Sequence, residues 1–190
     1  MSDTVPGSDV RSADAAPREQ PSRPWLVAAV AAVGVLIGAN LLLARVTGGE
    51  ALFCVARSDC GAVHASRYAM FLGAPTAAWG VGLYAVIGGL ALGGLPARRW
   101  LAAFQLSVVG LATSTYLAYL AVRVLGAACV YCLLSAAIAA TLSAALLAWR
   151  PPVAPHRSLL RAGPLMALTT VTAFATVLIA AAGFALGSSP

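Results

Sequence analysis

The chain has 190 residues, 61% of them hydrophobic and only 9% charged. A soluble domain usually carries about 25% charged residues, so this chain cannot cover a water-facing surface and reads as a polytopic membrane protein. The net charge of +6 comes from twelve Arg and no Lys, scattered singly or in pairs. No basic patch interleaved with aromatics is present, so nucleic acid is not an expected partner.

Residues 1–23 are polar, rich in Ser, Pro and Asp, and have no apolar period. They read as a disordered cytoplasmic tail. A bilayer core needs about 20 apolar residues in helix. Five runs meet that length: Trp25 to Ala44, Ala74 to Leu95, Trp100 to Val122, Cys129 to Trp149, and Pro164 to Leu186. Within the first, Gly34-Val-Leu-Ile-Gly38 fits the small-xxx-small pattern of close helix packing. The expected fold is all-α: a four-helix transmembrane bundle over residues 24–149, a cytoplasmic linker over 150–163, and a fifth transmembrane helix over 164–187.

Orientation follows from Arg placement. With the N-terminus inside, the inner segments hold Arg11, Arg18, Arg23, Arg98, Arg99, Arg150, Arg157 and Arg161, against Arg45, Arg57, Arg67 and Arg123 outside. Trp25, Trp100 and Trp149 then fall at the inner interface, where an aromatic belt is expected. All four cysteines fall on the outer side, where disulfides persist. Cys54 and Cys60 lie in a polar outer loop, residues 45–73. Cys129 and Cys132 lie at the mouth of the fourth span.

Cys129 and Cys132, three apart, share a helix face. A thiol at a helix N-terminus feels the positive end of the dipole, which favours thiolate. Cys132 sits one turn deeper and is better placed to meet a lipid-soluble oxidant. Cys54 and Cys60 can meet a soluble protein and swing back to the membrane pair. Four cysteines permit three pairings, and a relay must use at least two in turn. A static staple or a thiolate metal site, holding Zn or Cu(I), are the other uses of such residues. No His or Met cluster supports a metal.

After Cys60, the stretch from Ala62 to Leu72 reads as a short amphipathic helix lying horizontally on the outer face, with Gly73 and Pro75 marking its exit. Ser66 is its polar group expected to face a redox centre. Trp79, Tyr84, Phe104, Tyr116, Tyr119 and Tyr131 are candidates to line a pocket for a flat quinone ring. Asn40 and Gln105 are polar groups inside spans, able to bond another helix or a ligand.

Several motifs occur together. They are Asn-Leu-Leu-Leu at 40–43, Cys54-x5-Cys60, Val63-x-x-Ser66-x-Tyr68-Ala69, and Phe71-Leu72-Gly73-x-Pro75. Further on come Trp79-Gly80-x-x-x-Tyr84, Tyr116-Leu-Ala-Tyr119-Leu120 and Cys129-x-Tyr131-Cys132-Leu133-x-Ser135-Ala136. In this combination and order the chain resembles the bacterial branch of the vitamin K epoxide reductase family. The DsbB-type oxidases carry their C-x-x-C and spaced pair in the reverse order.

The resemblance implies a four-helix bundle around a quinone, menaquinone or ubiquinone. It implies that Cys132 reacts with the quinone, that Cys129 exchanges with Cys60, and that Cys54 takes electrons from a substrate protein. By the same resemblance Ser66, Trp79 and Tyr131 are expected at the ring. Many bacterial members continue into a thioredoxin-like domain. Here the fifth span runs to Gly187-Ser-Ser-Pro190, so a separate DsbA-like thioredoxin-fold donor is expected outside the bacterial inner membrane. Disulfide generation is the expected activity. Reduction of a quinone epoxide by the same dithiol is the alternative within the family.

Overall fold

The structure is a computed structural model that describes residues 24–49, 66–126, 129–151 and 162–186. Among the described residues five α-helices carry the fold: α1 Pro24–Thr47, α2 Thr76–Leu92, α3 Ala97–Arg123, α4 Val130–Ala148 and α5 Ala162–Leu186. Between α1 and α2 lie a single 3-10 turn, Arg67–Ala69, and two short strands, β1 Met70–Phe71 and β2 Ala74–Pro75.

The helices end where the sequence gives them reason to. Gly48, in the left-handed region at φ 68, follows α1, the usual glycine stop of a helix C-terminus. Gly93 and Gly94 end α2, and Pro96 precedes α3. Among the described residues four helices are long and apolar enough to cross a membrane by length and composition. The apolar α2, at 17 residues, sits at the short end of the spanning range. It is shorter than the run 74–95 because Pro75 caps one end and the glycine pair closes the other.

Helix α1 packs along α2, α3 along α4, and α5 against α3. The Gly34–Gly38 pair does what its spacing suggests. A Cβ on Gly34 would sit 2.6 Å from the Tyr84 ring, and one on Gly38 would sit 2.9 Å from Val81. The α1 backbone therefore lies directly on α2, and Gly34 makes room for Tyr84.

Two clusters divide the bundle along its length. One gathers Val27, Ile87, Trp100, Leu146 and Leu165, so all five helices contribute. The other, at the opposite end, gathers Ala121, Cys129 and Tyr131 with Ile37, Leu41 and Cys132 beside them. Helix α3 is the most polar of the spans, and it turns Ser107 and Ser114 inward, where both are buried. Ser107 meets Ser143 of α4 at 2.8 Å. In hydrocarbon such hydroxyls need partners, so these pairs join the helices.

Two expectations change. Trp100 is not a lipid-facing belt residue. It is buried, stacks on Phe104 at 5.4 Å, and donates from Nε1 to the Leu146 carbonyl at 2.7 Å. Trp25, by contrast, is exposed. The helix expected over 62–72 is, in its described part, the 3-10 turn followed by a hairpin. Leu72 and Gly73 both adopt positive φ, 50° and 79°, which sets the tight two-residue turn that pairs Met70 with Pro75 and Phe71 with Ala74.

Candidate functional site

The cysteine end of the bundle holds a cavity of about 490 Å³. Its wall is mostly apolar, built from α1, α2, α3 and α4, the hairpin and α5. Both Cys129 and Cys132 line it.

Cys129 is buried and stands immediately before α4, as its N-cap. Its sulfur accepts from the Cys132 N–H at 3.3 Å, in the place a Ser or Asp oxygen commonly takes. The Cys132 thiol also donates to it, at 2.9 Å. The two sulfurs are hydrogen-bonded and not joined as a disulfide to each other. The bond from the Cys132 thiol pulls Cys129 below the ordinary thiol range, to about 7. Burial works against that, and the backbone N–H groups of Cys132 and Tyr131 work with it. Near neutral pH a substantial share of Cys129 is therefore thiolate, the form that attacks disulfides.

Tyr131 lies between the two cysteines in sequence. It is buried, lines the cavity, and donates from its hydroxyl to Asn40 Oδ1 at 3.1 Å. Asn40 thus ties α1 to α4 beside the thiols. Gln105 behaves differently. Its amide is buried and has no hydrogen-bond partner among the described residues.

One turn beyond Cys132, three hydroxyls meet. Tyr84 of α2 donates to the Ser135 carbonyl at 2.9 Å and lies 2.8 Å from its Oγ. Ser114 of α3 donates to the same Oγ at 2.9 Å. All three residues line the cavity. They put a polar strip into an otherwise apolar wall, the composition typical of small-molecule sites. Sequence reading missed Ser114 and named Ser135 only within the Cys129–Ala136 motif, without a role at the site. Ser135 was detectable, being three residues after Cys132 and so on its face.

The hairpin forms the cavity's cover. Trp79 lines the cavity and donates from Nε1 to the Phe71 carbonyl at 3.1 Å. Its ring meets Phe71 edge-on at 6.2 Å. Thr76 donates to the Tyr68 carbonyl at 3.0 Å. Of the other aromatics expected at a pocket, Tyr84 is there, whereas Phe104 belongs to the Trp100 cluster and Tyr119 is exposed. Tyr68, Phe71 and Phe184 line the cavity without having been anticipated.

Cys129, Cys132, Tyr131 and Trp79 are thus brought together. Ser66 is not among the lining residues. It opens the 3-10 turn, its carbonyl accepting from the Ala69 N–H at 3.0 Å. Cys54 and Cys60 lie outside the described residues, as do His64 and Arg57.

A flat, apolar ring with two carbonyl oxygens fits this site by its chemistry. The walls are apolar and aromatic, a few hydroxyls supply hydrogen bonds, and sulfur stands at one side. A sequence profile described as the vitamin K epoxide reductase family matches residues 25–149, more than half of the chain. With its cysteine pair beside a membrane cavity, the chain belongs to the vitamin K epoxide reductase family, an oxidoreductase family linked to quinones.

Proposed function

We propose that this protein is a membrane dithiol:quinone oxidoreductase that supports disulfide formation. A dithiol of an extracytoplasmic, DsbA-like thioredoxin-fold protein is oxidised to its disulfide. Its two electrons pass by thiol–disulfide exchange through Cys54 and Cys60 to Cys129 and Cys132. Re-oxidation of the Cys129–Cys132 dithiol releases two electrons and two protons, which convert a quinone to its quinol. Menaquinone and ubiquinone are the two candidate acceptors, and the quinone supplies the two-electron sink when bound.

The observation that carries this reading is the placement of both sulfurs on the wall of an apolar cavity of about 490 Å³. The chain's own residues supply the rest. The Cys132 thiol donates its proton toward Cys129 across a sulfur–sulfur distance of 2.9 Å and thereby keeps Cys129 ready to exchange. Tyr131 fixes the first turn of α4 against Asn40. Tyr84, Ser114 and Ser135 offer hydroxyls to a carbonyl oxygen of the ring. The hairpin contributes Phe71 and Pro75 to the cavity wall. In the proposed topology the N-terminus is cytoplasmic and the cysteine end faces outward across a bacterial inner membrane.

The test is oxidation of a reduced DsbA-like protein by membranes containing this chain, with menaquinone or ubiquinone added, wild type beside Cys132→Ala. Quinone-dependent oxidation that disappears in the variant is expected. Its absence in wild type with any thioredoxin-fold donor would sink the proposal and direct attention to quinone epoxide.

A further inference from the structure

Helix α1 presents two neighbouring stripes. Gly34 and Gly38 rest on Tyr84 and Val81 of α2. Ile37, Leu41 and Ala44 pack instead on the small cluster of Ala121, Cys129 and Tyr131. Asn40 belongs to this second stripe, since 37, 40, 41 and 44 follow the i, i+3, i+4, i+7 spacing of one helix face. It is the one carboxamide in α1. A carboxamide inside a span needs partners, because hydrocarbon supplies none. Its Oδ1 accepts from the Tyr131 hydroxyl at 3.1 Å.

Tyr131 stands closer to the chemistry than an ordinary helix anchor. It occupies the two-residue spacer between the cysteines and is 3% exposed, and its backbone N–H bonds the Cys129 sulfur. The Cys132 N–H reaches the same sulfur at 3.3 Å. Both amides belong to the first turn of α4. The Tyr131 ring is held along its body by packing and at its hydroxyl by Asn40. A ring so held fixes where those two amides point, so the tether reaches the sulfur through backbone geometry.

We propose that Asn40 is a positioning residue that sets the redox poise of the Cys129–Cys132 pair, holding the first turn of α4, through the Tyr131 hydroxyl, in the arrangement that favours the reduced pair. This rests on the relay reading above. The sign follows from the donors. Two N–H groups aimed at a sulfur stabilise it most when it is a thiolate, because a charged acceptor forms the stronger bond. A sulfur in a disulfide gains far less from the same donors. Loosening the turn therefore takes stabilisation from the reduced pair and leaves the pair more reducing. The charged and titratable side chains on the cavity wall are Arg45 of α1, Tyr68 of the 3-10 turn, Tyr84 of α2, and Tyr131 and the two cysteines at α4. Among the described residues α3 and α5 contribute none to it. Asn40 carries no charge, so its influence is geometric and separate from theirs.

The test equilibrates the full chain in membranes with dithiothreitol buffers of graded ratio. One Cys129–Cys132 disulfide and one dithiothreitol dithiol exchange for one protein dithiol and one cyclic dithiothreitol disulfide, so electrons and protons balance. The oxidised fraction is read by alkylation and mass spectrometry of the peptide that carries both cysteines. Asn40→Leu and Tyr131→Phe should each shift the equilibrium toward the protein disulfide about fivefold, the worth of one hydrogen bond. For a two-electron couple that is about 20 mV. The double variant should shift it no further than either single one, because both remove the same bond. Tyr131→Phe carries the test alone if Asn40→Leu does not fold. The pH at which Cys129 is half-reactive toward alkylation should rise in the same variants, and a fixed midpoint counts against the proposal. An unmoved equilibrium in folded variants, or shifts that add in the double variant, would overturn the role of Asn40 and leave the relay reading intact. A wild-type pair that forms no disulfide in any buffer would overturn both.

Discussion

At the end where α1 and α3 begin, five helices close around Trp100, whose ring is buried, stacked and hydrogen-bonded. At the other end the same helices stand around a cavity of about 490 Å³. Both ends draw on Ala, Leu, Val and Gly with a few aromatics, so composition does not separate them. Placement does. At the Trp100 end the large rings point inward and fill the bundle axis. At the cysteine end the rings of Trp79, Phe71 and Phe184 sit around the periphery and over the top, leaving the middle to small residues such as Gly110, Ser114 and Ala180. One end stores stability and the other stores space.

The largest effect that tests this division is chemical. Cys132→Ala should abolish quinone-dependent dithiol oxidation and leave thermal melting in detergent essentially where it was. A large fall in melting would mean that the cysteine end is structural after all. At the opposite end Trp100→Ala should cost about 3–5 kcal/mol of stability, since it empties a large site and strands the Leu146 carbonyl. Activity per folded molecule should survive. Loss of activity beyond the unfolded fraction would show that the two ends are coupled.

A third prediction concerns proton balance. With Cys129 lowered to about 7, exchange at this site should gain about tenfold per pH unit below that point and level off above it. The sign follows from thiolate being the reactive form, so acid slows exchange. Removing the donor by Cys132→Ala should move the levelling-off point upward, measured as exchange with a small disulfide. A profile that does not move would put the cause elsewhere.

Tyr84→Phe should cost about 1 kcal/mol by removing the hydroxyl that joins α2 to Ser135. A null effect on both melting and quinone KM would reduce the hydroxyl strip to packing. The smallest effect belongs to the hairpin. Leu72 holds a positive φ without being glycine. Asn tolerates that conformation better, so Leu72→Asn should raise stability by up to about 1 kcal/mol.

What the sequence disclosed and withheld follows from range. The spans were legible because lipid demands long apolar runs and gives Gly and Pro few places to stand. The Cys129–Cys132 pair was legible because three residues in one turn bring their own contact with them. Gly34 and Gly38 were visible as a pattern, but that they hold Tyr84 and Val81 needed the second helix. The burial of Trp100 was not legible, because a tryptophan at the start of a span looks the same whether it faces lipid or the axis. Ser114 joined Ser135 only through the packing of α3 on α4. Phe184 was invisible for the plainest reason. It sits in an apolar helix with no motif, and only the hairpin folding onto it gives it a role. Ser66, singled out by resemblance, opens the 3-10 turn rather than lining the cavity. Cys54 and Cys60 fall outside the described residues.

The sulfur that caps α4 carries a consequence of its own. Helix caps are ordinarily inert: a serine or aspartate accepts its bond and keeps it. Here the acceptor is the atom that, in the proposed relay, must change covalent partner at each turnover. A thiolate accepts a backbone N–H strongly, and a sulfur already bonded to another accepts it weakly. The first turn of α4 would then tighten and slacken with the charge on one atom. The redox state would be written into the backbone amide of Cys132, where amide exchange or an amide chemical shift could read it without any substrate present.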